Sequence, residues 1–199
     1  MKDLNSVYAK ISGLLVKTWY KVFKRSTIQI SKGVIFYKIP SIRTIDTSCL
    51  MLGENVIINS NKKKYHSFMF ERNKIIMDRP NAKINIGSNT RLHGSLIHAY
   101  KSIHIGKNCL IAANTQIMDG GGHDLCMDKP EQRYQTIGDA KPVIIEDNVW
   151  IGINCIILPG SIIREGTIVG AGSVVRGELK ARSIYAGNPV KLLKSYEGN

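Results

Sequence analysis

The chain has five histidines, His66, His93, His98, His104 and His123, and four of them lie in or beside regular segments or a basic interruption. His123 alone stands where regularity breaks, in Met118-Asp119-Gly120-Gly121-Gly122-His123-Asp124. An imidazole with an intrinsic pKa of about 6.5 can take a proton from a hydroxyl near neutral pH and hand it on. Three consecutive glycines predict a backbone that takes positive φ and approaches a ligand closely. Asp119 or Asp124 is placed to orient the ring, with a turn-forming aspartate as the competing role. The chemistry on offer is activation of a weak nucleophile by a general base.

Such a base needs a rigid frame, and the sequence supplies a period. From Ile145 to Val175 every sixth residue is a branched aliphatic: Ile145, Ile151, Ile157, Ile163, Val169, Val175. Four positions after each of the first five comes a slender side chain: Val149, Cys155, Ser161, Thr167, Ser173. Strands repeat every two residues and helices every 3.6, so the beat predicts a solenoid with three flat sides, aliphatics inward and small residues near the corners. The register is also visible at Leu52–Ile58, from Ile86, and from Ile105 to Ile117. It slips by one residue near His98. A polar, basic stretch interrupts it from Asn59 to about Glu71, and a Gly-, Asp- and Lys-rich excursion breaks it over 118–144. Residues 27–199 therefore read as one all-β domain with a single long loop.

Residues 1–26 read as an amphipathic helix. Leu4, Val7, Ile11, Leu14, Leu15, Val22 and Phe23 form a stripe, with Lys10, Lys17, Lys21 and Lys24 mostly off it. The favoured expectation is that this stripe packs on the body or on a neighbouring subunit. The alternative is peripheral membrane contact, with Trp19 and Tyr20 at headgroup level.

Composition narrows the partners. The formal charge of +13, from 28 Lys+Arg against 15 Asp+Glu, favours an anionic partner. No basic run carries interleaved aromatics, so nucleic acid is disfavoured. Cys49, Cys109, Cys126 and Cys155 show no metal-ligand spacing and read as free thiols in a reducing compartment. The N-terminal region predicts neither a secretory signal nor a membrane span, which points to the cytoplasm, with the inner membrane face as an extension.

Three phrases, Ile145-Glu146-Asp147-Asn148-Val149-Trp150-Ile151-Gly152, Val169-Gly170-Ala171-Gly172-Ser173 and Ala186-Gly187-Asn188-Pro189, resemble the hexapeptide-repeat acyltransferases, most closely their sugar O-acetyltransferase branch. The resemblance implies a left-handed parallel β-helix, acetyl-CoA as donor, no metal, and a homotrimer with active sites between subunits. It makes His123 the catalytic base in direct attack on the thioester, with Asn114, Asp119 and Trp150 around the acetyl and acceptor groups. Gly152 and Ile153 become oxyanion donors. Gly170, Ala171 and Ser173 become a pantetheine edge, and Arg176, Lys191 and Lys194 phosphate partners. The implied function is O-acetylation of a sugar or glycan precursor in polysaccharide biosynthesis. N-acetylation of an amino sugar, often nucleotide-linked, is the alternative. A γ-type carbonic anhydrase using His93, His98 and His123 is a remote one, and its expected order of histidines does not match.

Overall fold

The structure, a computed structural model, describes the backbone of residues 4–196 and the side chains from residue 10 onward, Lys64 excepted. Leu4 and Val7 of the helical stripe thus lie outside the described side chains. The inward beat recurs along the solenoid: Leu52, Ile58, Ile86, Leu92, Ile105, Ile111, Ile117, Ile145, Ile151, Ile157, Ile163 and Val175 are all at most 2% exposed. Burial of each such side chain contributes about 1.5–3 kcal/mol, so the axis is the main stabilising feature. Three parallel sheets wrap it. Face A has seven strands, from Ile28–Ile30 to Glu178–Leu179, and face C has six, from Ser41–Arg43 to Val174–Val175. Face B has eight, from Ile35–Tyr37 to Ser183–Ala186 plus Lys191–Ser195, which turns back antiparallel through the Gly187–Val190 turn. The result is an all-β, left-handed parallel β-helix with an N-terminal helix.

The corners explain the small residues and the asparagines. Val149, Cys155, Ser161, Thr167 and Ser173 are fully buried, as the six-residue beat predicts. Asn55, Asn89, Asn108 and Asn148 stack at the A–B corner with φ between 56 and 62°. Each side-chain amide donates to the next carbonyl oxygen at 3.1–3.2 Å, and Asn148 ends the column on Glu165. Asparagine tolerates this left-handed backbone because its short polar side chain bonds locally. The slip near His98 is real: buried Leu92 and Ile97 stand five positions apart, at the corner where Gly94 takes a positive φ.

There are two excursions rather than one. Residues 60–73 leave the B–C corner and run along it, with Met69 buried against Gly94 and with Phe68 and Phe70 bonded through their backbones to Asn114. Residues 119–142 leave the C–A corner.

The helix spans Leu4–Phe23 and covers the first coil, but not with the expected stripe. Gly13, Val16 and Tyr20 face the body, Tyr20 lies edge-on to Phe36, and Lys17 donates to the Val34 carbonyl at 2.7 Å. A Cβ on Gly13 would sit 1.7 Å from the Phe36 carbonyl oxygen, so the glycine is what lets the helix backbone come this close. The stripe Ile11, Leu14, Leu15, Val22 and Phe23 points away and is 53–69% exposed. Close approach beats side-chain apolarity here because the coil end offers a backbone edge, not a groove for large residues. Among the described residues no helix is long and apolar enough to cross a membrane.

His93, on face B, gives the fold a pH dependence. Burial, with the nearby Arg91 and His66 charges, lowers its pKa to about 4, and Asn59 lies 3.3 Å from its Nδ1. The folded pKa lies below the unfolded value of about 6.5, so the unfolded state binds more protons between the two. Stability is therefore expected to be full above pH 6.5 and to fall as pH drops toward 4, by at most about 3 kcal/mol. Urea unfolding at neutral pH and near pH 4.5 measures this, and His93→Gln should flatten the slope.

Candidate active site

His123 sits in the first limb of the 119–142 excursion, and its side chain is exposed. The limbs are closed on each other. Gly120 bridges Ala140, the Lys141 N–H donates to the Asp119 carbonyl at 2.6 Å, and the Asp124 N–H donates to Thr136 Oγ1 at 2.8 Å. A short 3₁₀ turn, Pro130–Gln135, forms the tip, and Arg133 Nε donates to the Leu125 carbonyl at 2.8 Å. A Cβ on Gly138 would lie 2.4 Å from the His123 carbonyl oxygen, so the second limb directly supports the backbone that carries the imidazole.

The body braces this loop through Arg79. Its guanidinium lies 4.0 Å over the Tyr100 ring and donates to the Gly138 carbonyl at 2.8 Å and the Gly121 carbonyl at 3.4 Å, one on each limb. Behind it, Tyr100 stacks on His98 at 4.3 Å, and His98 Nε2 lies 3.0 Å from Asp78, which also accepts from Arg43 at 2.7 Å. Burial pushes the Asp78 carboxyl up, but the His98 hydrogen bond and charge together with Arg43 outweigh it and hold the group below the usual carboxylate range. Nothing in the sequence pattern flags Arg79, since its partners lie 42 and 59 positions away.

Several expected roles change. Gly120, Gly121 and Gly122 do not take positive φ; Gly120 instead leaves room for the Tyr100 ring, which a Cβ would meet at 2.9 Å. Asp119 is completely buried and accepts from the backbone N–H groups of Tyr100, Lys101 and Ser102 at 2.6–2.8 Å. Burial pushes its carboxyl up while those donors oppose the shift. It fixes the turn beneath the loop, and both carboxylate oxygens are taken up by these backbone donors. Asp124 caps its own turn through the Leu125 N–H. The Asn114 amide donates to Asn154 Oδ1 and the Phe68 carbonyl and accepts from the Phe70 N–H, which is a corner-ladder role.

Trp150 begins a strand of face B and is 51% exposed, between Leu110 and Ile168. The Gly152 N–H is spent on the Val169 carbonyl at 2.8 Å, which removes it as an oxyanion donor. Gly152 has a packing role instead, since a Cβ there would lie 2.6 Å from the Ala171 nitrogen. Ile153 stands beside it at the corner, its carbonyl bonded to the Gly172 N–H. Gly170 donates to the Tyr185 carbonyl, and buried Ser173 binds the Gly170 carbonyl and the Gly187 N–H. Ala171 is left exposed on this edge. Arg176, Lys191 and Lys194 are exposed after it, with Lys194 4.5 Å over the Tyr196 ring. Within one chain His123 and Trp150 do not meet, because the C–A corner and face B are separated by the strand Val143–Ile145. His93 on face B and His98 on face C also point from different sides.

Family models match two stretches: bacterial transferase hexapeptide (six repeats) over 142–177, and hexapeptide repeat of succinyl-transferase over 84–118. Both matched stretches carry hexapeptide repeats. Among similar chains is WbbJ of Escherichia coli, by name a candidate lipopolysaccharide biosynthesis O-acetyltransferase. It is 36% identical over 118 residues, covering 56% of this chain and 58% of WbbJ. SAV2555 of Staphylococcus aureus, by name a candidate acetyltransferase, is 29% identical over 49% of this chain and 57% of its own. The chain thus spans little more than half the length of these relatives. Among solved structures, a mutant of the Bacillus cereus N-acyltransferase AntD, in complex with dTDP-4-amino-4,6-dideoxyglucose and coenzyme A, superposes with a TM-score of 0.65. It is 24% identical and covers 89% of this chain and 88% of AntD. A maltose O-acetyltransferase of Clostridium difficile has a TM-score of 0.56 at 21% identity, covering 98% and 90%. These likenesses concern the fold.

Proposed function

We propose that the protein is an acetyl-CoA-dependent O-acetyltransferase acting on a hydroxyl of a sugar or glycan precursor. The observation that carries this reading is an exposed imidazole, His123, on a loop braced from both limbs at a corner of a hexapeptide solenoid. His123 takes the proton as the acceptor oxygen attacks the thioester carbonyl. The tetrahedral intermediate collapses, the C–S bond breaks, and the imidazolium returns its proton to the CoA thiolate. The Ile153 N–H is the remaining corner donor proposed for the oxyanion. Trp150 walls the acetyl group, the edge at Ala171 receives pantetheine, and Arg176, Lys191 and Lys194 meet the phosphates.

Because His123 and Trp150 lie on different sides of one chain, the complete site is proposed to form between subunits of a homotrimer. Four free cysteines suit a reducing, cytoplasmic setting. The test is thiol release from acetyl-CoA with a panel of sugars, with the product identified by mass spectrometry. An acetyl ester formed only with hydroxyl acceptors supports the reading. Faster turnover of amino sugars to amides would replace it with N-acetylation.

A further inference from the structure

One side of the helix Leu4–Phe23 packs on the first coil and the opposite side is left uncovered. At about 100° per residue, Leu14, Ile11, Val22, Leu15 and Trp19 occupy an outward arc of about 140°. These side chains and Phe23 are 48–69% exposed, and the Trp19 and Phe23 rings lie 5.8 Å apart on that surface. Thr18 falls within this arc and bonds back to the Leu14 carbonyl, and the apolar side chains around it form an exposed surface of the kind that marks an interaction site.

The charges on the helix and just after it are of one sign. Residues 4–25 contain Lys10, Lys17, Lys21, Lys24 and Arg25 and no acid. Two recesses beside the helix continue the pattern. One of about 410 Å³ is lined by Trp19 with Lys24, Arg72 and Arg43, the last already paired with Asp78 at 2.7 Å. The other, about 380 Å³, is lined by Lys38, Lys62, Lys63 and Arg72, and its Glu71 is already engaged by Lys62 at 3.2 Å.

We infer that this face docks the protein on an anionic lipid bilayer, with the helix in the plane of the interface. The geometry supplies both parts of such binding: an apolar arc that enters the acyl boundary, and flanking lysines and arginines that meet acidic headgroups. A second copy is a poorer occupant, because a chain of charge +13 brings the same basic recesses to the contact. The helix does not span, and nothing in this inference depends on the acyl-transfer reading.

Sedimentation of the full chain with lipid vesicles tests it. Binding is expected to vesicles of phosphatidylcholine with about 30% phosphatidylglycerol, at least tenfold (~10×) above pure phosphatidylcholine, and to weaken in high salt. Leu15→Glu and Val22→Glu, made singly, should each lower anionic-vesicle binding about tenfold without changing the melting temperature, since both side chains face away from the body. Equal sedimentation with neutral and anionic vesicles would overturn the inference. So would unchanged vesicle binding by both variants. A lipid-free assembly that Val22→Glu dissociates would also overturn it, because the face would then be covered by another copy.

Discussion

His123→Ala is expected to slow CoA release to a hydroxyl acceptor by about 10³-fold, within the 10²–10⁴ range for loss of a positioned general base. The melting temperature should hardly move, because the side chain is exposed on its loop. Stopped assays of thiol release, with the KM for acetyl-CoA followed in parallel, measure the effect. Loss in kcat with little change in that KM marks a proton-transfer role rather than donor binding. An amine acceptor offers a useful contrast: it is already nucleophilic and loses less on removal of the base. Turnover within a factor of about three of the parent protein with a hydroxyl acceptor would remove His123 from the mechanism.

Asp119→Ala is expected to cost about 4 kcal/mol of stability, the largest effect of any single change in the loop region. The parent carboxylate, itself wholly buried, accepts from three backbone N–H groups of a part-buried turn, and alanine leaves all three donors without this acceptor. Urea unfolding measures the loss directly. Asp119→Asn keeps one oxygen of the same shape and should cost about half as much. Both variants should also lose acetyl transfer, since the carboxylate fixes the turn from which the loop bearing His123 departs. A loss of activity with parent-like stability would mean instead that the carboxylate works on substrate.

What the sequence made legible was periodic and local. One inward aliphatic per side and one small corner residue are enough to specify a coil, so the beat from Ile145 to Val175 foretold the axis and its slots. The break in that beat also marked the loop bearing His123. Roles settled by long-range shape were not legible. Asp119 looks like a turn residue until the turn 17–19 positions earlier is folded beneath it. Asn114 is claimed by an excursion more than 40 positions upstream. The helix packs by Gly13 and Tyr20 because a backbone edge rewards closeness, which an apolar stripe does not report.

The parallel stacking of face A also has a consequence for reach. The helix rests on the first coil, and the loop leaves after the fourth, whose face-A strand Ser102–Ile105 lies three pairings beyond Ile28–Ile30. At about 4.8 Å per pairing, the solenoid is a rigid spacer of about 14 Å between the two. Adding or removing a coil would lengthen or shorten that spacer in fixed steps while leaving both ends intact. Coil number is therefore a mechanical dial for how far along the axis from its anchoring coil the protein presents its reactive loop.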